Sequence, residues 1–163
     1  MSALARTQMT PEEYLAWDAS HEGKHEYVNG EMWAMAWAQT AHNIVTANLI
    51  GVLYGRLRAS PCYPLASDMR VLIDETGLYC YPDVTVVCGP PETLPTQPPT
   101  LTNPSVVVEV LSESTAAFDK DVKFAHYDGW RLTEARGEET LAVACLGIEL
   151  PLPEVFARLD VAA

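Results

Sequence analysis

The feature that most constrains this 163-residue chain is the run Val106-Val107-Val108-Glu109-Val110-Leu111. It is almost continuously apolar, so it fits a strand at the centre of a sheet covered on both faces, where no polar alternation is needed. Glu109 is the exception within it. An isolated carboxylate is costly to bury and has to find a partner, a proton or a metal. A salt bridge to Lys123 or Arg70 would satisfy it structurally. A cation shared with a second acid would satisfy it functionally.

Asp83 is the natural second acid, 26 residues earlier and directly after Pro82 in the apolar stretch Tyr79 to Val87. Read as one strand, that stretch carries Asp83 at its heart; read as a turn-like strand entry, Pro82-Asp83 is merely structural. Two carboxylates on adjacent strands could hold a hard divalent cation such as Mg2+, which favours oxygen ligands and retains several waters. Such a site activates water and polarises phosphorus.

Local signals organise the rest. Thr10-Pro11-Glu12-Glu13 starts a helix to about Ser20, with Thr10 as N-cap and Glu13 closing a capping box. Asn29-Gly30 supplies both positive φ angles of a two-residue turn, so Lys24 to Val28 and Glu31 to Met35 form a hairpin. From His42 to Arg58, Val45, Leu49, Val52, Leu53 and Leu57 recur at helical spacing, and Ser60-Pro61 ends that helix. Asp68 to Ile73 pairs with the Tyr79 strand through Asp74-Glu75-Thr76-Gly77. Gly89 to Pro104 holds six prolines and reads as an exposed irregular loop. A helix over Ala116 to Tyr127, stopped by Gly129, places Asp119, Lys123 and Tyr127 on one face. Beyond it lie weak strand signals at Trp130 to Thr133, Thr140 to Ala144 and Ile148 to Leu150, then a short helix from Glu154 to Leu159. No linker divides the chain, so residues 1–163 form one α/β (α+β) domain.

Composition bounds the function. Ile44 to Leu57 is too short and too polar to span a membrane, and Met1 to Met9 carries no export signal. The four cysteines match no zinc spacing, which fits reduced packing thiols in a cytoplasmic protein. The net charge of −12 opposes binding to phosphates, although carboxylates that take up a metal are locally neutralised or inverted in sign.

Several of these residues recur together: Lys24-His25-Glu26-Tyr27-Val28-Asn29-Gly30-Glu31, His42, Tyr81-Pro82-Asp83-Val84, Val108-Glu109-Val110-Leu111-Ser112, and Asp119 and Lys123 and Tyr127 at four-residue spacing. In this order, over about residues 9 to 127, they resemble the Uma family of putative restriction endonucleases, within the PD-(D/E)XK nuclease superfamily. The resemblance implies a restriction-endonuclease-like mixed sheet flanked by helices, in which Asp83 and Glu109 bind Mg2+, with Mn2+ as a substitute. Glu26 would complete or orient the site. The superfamily lysine normally stands two residues after the strand acid, where this chain has Leu111. The resemblance maps its role onto Lys123, with Lys120 competing, to orient water or stabilise the charged transition state. DNA is the implied substrate, and a homodimer is expected because two related sites suit two strands.

The chain departs from the family after Tyr127. Its tail resembles the family's usual ending, as though about two strands and a turn were missing near 127–130. An open sheet edge would follow, whether from a deletion, from residues left out of the numbering, or from a strand supplied by a partner. Two other functions stay open: a catalytically inactive nuclease-fold module for binding or assembly, and a metal hydrolase of a smaller phosphoester. The residue types also leave open whether His42 caps its helix or contacts phosphate, whether Asp68 is structural or a metal's outer partner, and whether Glu26 faces solvent.

Overall fold

The computed structural model describes residues 8–35, 37–111, 123–127 and 130–162. Helix α1 (Pro11–Asp18) begins on the expected capping box: Thr10 Oγ1 accepts from Glu13 N at 3.2 Å, and Glu13 Oε2 accepts from Thr10 N at 2.8 Å. Strands β1 (His25–Val28) and β2 (Glu31–Ala34) form the expected hairpin, with Asn29 at φ 52° and Gly30 at φ 84° in its turn. Helix α2 (Thr40–Leu57) buries Val45, Leu49, Leu53 and Leu57, while Val52 is half-buried.

Among the described residues, seven strands follow before the segment around Lys123: β3 (Cys62–Ala66), β4 (Arg70–Ile73), β5 (Leu78–Cys80), β6 (Val84–Cys88), β7 (Thr93–Leu94), β8 (Thr100–Leu101) and β9 (Val106–Val108). They build a six-stranded mixed sheet in the order β2-β1-β5-β4-β8-β7, with β4 and β8 parallel, and a three-stranded antiparallel sheet β3-β6-β9. The fold is therefore α+β with a mixed sheet and helices against it. Strands β10 (Thr140–Val143) and β11 (Ile148–Pro151) form a separate hairpin. Helix α3 (Phe124–His126) directly follows Lys123; the earlier part of the expected Ala116 to Tyr127 helix, to position 122, lies outside the described residues. Helix α4 (Leu152–Val155) and a 3-10 turn (Leu159–Ala162) replace the expected Glu154 to Leu159 helix. No strand forms over 130–133.

Four further expectations need correction. The stretch Tyr79 to Val87 is two strands in two sheets, because Pro82 offers no N–H to a ladder and restricts Tyr81 before it. The chain crosses between sheets at Tyr81-Pro82-Asp83, so Asp83 stands at the entry of β6. Second, the Val106 run lies at an edge among the described strands, with its residues half-buried. The central place goes to β6, whose Val84, Thr85, Val86 and Val87 are fully buried, because β3, which the sequence reading did not foresee, occupies its other side.

Third, the Pro-rich segment 89–104 is not wholly irregular. It contributes β7 and β8, and Thr100 and Leu101 are buried, drawn in by Arg70. Fourth, Cys62 and Cys88 face each other across β3 and β6 and are joined by a disulfide, while Cys80 is a buried free thiol and Cys145 an exposed one. With that bridge in place, cysteine usage no longer points to a reducing compartment. Among the described residues, no helix is long and apolar enough to cross a membrane.

Two apolar clusters frame the position of the site. One packs α2 on Val84 and Val86 of β6, with Leu150 and Val155. The other gathers Val28, Val71, Ile73, Leu78, Cys80, Val87 and Leu101 from the strands of both sheets. Since side chains alternate along β6, these clusters lie on its opposite faces.

Candidate active site

Alternation along β1 decides where Glu26 goes. His25 and Tyr27 turn towards α1, His25 Nδ1 lying 2.8 Å from Asp18 Oδ1 and the Tyr27 ring stacking on Tyr14 at 4.8 Å. Glu26 must point the other way, and it is buried rather than turned to solvent as hairpin residues usually are. Its Oε1 accepts from Tyr81 N at 3.1 Å and pairs with Lys123 Nζ at 2.9 Å.

Lys123 links this acid to the next. Its Nζ also lies 3.2 Å from Glu109 Oε1, with the lysine side chain 4% exposed and that of Glu109 7%. Tyr127, one helical turn beyond Lys123, donates its hydroxyl to the same Glu109 oxygen at 3.0 Å. Burial works to lower the Lys123 pKa, but the Glu109 and Glu26 carboxylates outweigh it and hold the ammonium well above the usual lysine range. Lys123 is therefore a fixed cation at neutral pH rather than a general base. Burial, then Cys80 and Glu109, push the Tyr127 hydroxyl well up, so it remains a donor. Burial likewise raises the Cys80 thiol, which makes it no nucleophile.

Asp83 reaches the same region from β6. The last ladder pair between β6 and β9 is Val84 with Val108, so one step further outward Asp83 stands opposite Glu109. Asp83 Oδ2 accepts from Val110 N at 2.7 Å, which ties it to the residue after Glu109, and Oδ1 lies 2.9 Å from His42 Nε2. The structure thus joins Glu26, Glu109 and Lys123 directly, and brings Asp83 in through the backbone beside Glu109. Asp119 and Lys120 lie outside the described residues.

The donor chemistry suits a hard divalent ion. Asp83, Glu26 and Glu109 are acidic against one ammonium, so the four carry surplus negative charge, and their donors are all oxygen. Among the described residues, no three His, Cys, Asp or Glu side chains are grouped to hold a metal by themselves. Mg2+ asks for less than that, since one or two carboxylates with water and a substrate oxygen suffice. The carboxylate oxygens of Asp83 and Glu109 are donors of the kind such an ion takes.

Other candidates go elsewhere. Arg70 does not meet Glu109; it is fully buried and pairs with Asp18 Oδ2 at 2.7 Å, Thr100 Oγ1 at 2.7 Å and Pro98 O at 2.8 Å. Asp68 precedes β4 and pairs with Lys24 at 2.7 Å, its side chain 92% exposed. Sequence reasoning missed the contact of His42 with Asp83 and that of Tyr127 with Glu109. The four-residue spacing from Lys123 was a signal for Tyr127, but nothing local announces a contact spanning 41 residues.

Comparison with known proteins gives a family and a fold. Residues 11–143 match the model of a family named Uma2, described as "Putative restriction endonuclease". Two uncharacterized proteins of Synechocystis sp. are similar. The protein slr1290 is 38% identical over 120 residues, covering 74% of this chain, and sll1609 is 38% identical over 128 residues, covering 78% of it. The match spans 62% of slr1290, less than two thirds of its length, and 72% of sll1609. The fold resembles the crystal structure of a putative nuclease of the DUF820 group from Anabaena variabilis, with a TM-score of 0.66 at 14% identity over 93% of this chain and 99% of that one.

Proposed function

Since the chain belongs to the Uma2 family, we propose that it is a divalent-metal-dependent endonuclease that hydrolyses phosphodiester bonds in DNA. The observation that carries this reading is the buried Lys123 ammonium set between Glu26 and Glu109, with Asp83 at the neighbouring strand entry. Asp83 and Glu109 would hold Mg2+ or Mn2+, and the ion's chemistry here is to make bound water nucleophilic and polarise the phosphorus. Lys123, held as an ammonium at neutral pH, stabilises negative charge that develops on the phosphate oxygens. Glu26 fixes Lys123 from behind, and Tyr127 orients the carboxylate of Glu109 through its hydroxyl. Two copies acting together would place one such centre on each DNA strand.

The test is nicking of supercoiled plasmid by the purified chain with Mg2+ or Mn2+. Wild type converts supercoiled to open-circular DNA, and Asp83→Asn and Glu109→Gln each slow this by at least about a hundredfold. Wild-type protein that cleaves no DNA with either ion refutes the proposal. The net charge of −12 favours one rival, hydrolysis of a smaller phosphoester, which turnover of a nucleotide substrate without DNA cleavage would establish. An inactive binding module would instead take up no divalent ion in calorimetry.

A further inference from the structure

The metal reading leaves one neighbour of the centre without a role. His42 stands in the first turn of α2, on a different element from every acid of the cluster, and its ring meets Asp83 with Nε2 at 2.9 Å from Oδ1. Facing a carboxylate, Nε2 is the donor. The other Asp83 oxygen takes Val110 N–H at 2.7 Å, so both oxygens are engaged, one by a helix side chain and one by the backbone beside Glu109. Neither group is deeply enclosed: the side chains are 18% and 15% exposed, so this contact does not fill the core. Asp83 also follows Pro82 at a strand entry, where no continuous ladder holds the backbone, and the carboxylate's direction depends on these two donors.

We propose that His42 is a positioning residue for the metal centre, holding the Asp83 carboxylate in the orientation in which it can receive a divalent ion. The proposal rests on Asp83 being a metal ligand. His42 touches neither substrate nor ion; it acts through Asp83, as partners that orient metal-binding carboxylates commonly do. The role asks only for a donor N–H at the position of Nε2. A glutamine amide nitrogen reaches about as far, whereas alanine leaves Oδ1 without that donor.

Mn2+ affinity by calorimetry on the full chain, with hydrogen exchange of the Val110 amide measured without metal, tests this. Expected for His42→Ala are an Mn2+ dissociation constant about tenfold weaker and faster Val110 exchange, with the urea midpoint confirming that the variant folds. His42→Gln stays near wild type in both readouts. Where wild type binds Mn2+, the proposal is overturned if His42→Ala matches it in either readout, or if glutamine fails to rescue a folded protein. The metal reading fails separately, if Asp83→Asn binds Mn2+ as wild type does or wild type binds none. Val110 exchange then still decides whether His42 orients Asp83.

Discussion

Lys123 shows how burial and partners set a residue's chemistry together. Desolvation alone would drive a 4%-exposed ammonium towards neutrality, yet two carboxylates within 3.2 Å keep it charged. Removing it takes the buried ammonium from both acids. Lys123→Met should therefore cost about 3–5 kcal/mol of stability, read from urea unfolding. The pH dependence follows in sign. A lysine whose folded pKa is raised contributes fully below its unfolded pKa of about 10.4, and that contribution disappears as pH rises through the folded value. The stability difference between wild type and Lys123→Met should accordingly stay level from pH 7 to 10 and shrink only above that. A difference that shrinks between pH 7 and 9 would show that Lys123 is not held as described.

Arg70 makes the companion case at the scale of elements, because its guanidinium ties β4 to α1 through Asp18, to β8 through Thr100 and to the backbone at Pro98. His25 Nδ1 also contacts Asp18, and Tyr14 donates to His25 O at 2.6 Å, so this network fixes β1, from which Glu26 projects into the site. Arg70→Met should cost about 3–5 kcal/mol by leaving Asp18 buried and undercompensated. The half-exposed pair of Arg56 with Glu154 at 3.7 Å gives the contrast: Arg56→Met should cost under about 1 kcal/mol in the same unfolding assay. The hairpin turn supplies a backbone test. At Gly30 a Cβ would meet Gln8 Cα at 3.5 Å and Met9 O at 3.6 Å, which are ordinary contacts, but φ is 84°. Gly30→Ala should then destabilise by about 1–2 kcal/mol from conformation alone, seen as a lower thermal midpoint.

For the whole molecule, charge sets the conditions for any encounter with nucleic acid. With a net charge of −12 the chain repels phosphates, and on the proposed function cations taken up at the acid cluster would reduce that repulsion where it matters. Fluorescence anisotropy should find weak duplex DNA binding in EDTA and stronger binding with Mg2+ or Ca2+; equal affinity in both would contradict a metal-bridged contact. The sequence alone determined what depends on neighbours along the chain: the Thr10 capping box, the turn at Asn29-Gly30, the buried stripe of α2, and Glu109 as an acid in an apolar run. Local geometry dictates these, because capping, turn dihedrals and helical periodicity act over a few residues. Tertiary structure decided what depends on which strands become neighbours. It set β6 rather than β9 at the centre of its sheet, paired Cys62 with Cys88, sent Arg70 to Asp18, and brought His42 to Asp83. Those outcomes follow from long-range burial and ion pairing, in which a buried charge takes the partner that the packed sheets bring within reach.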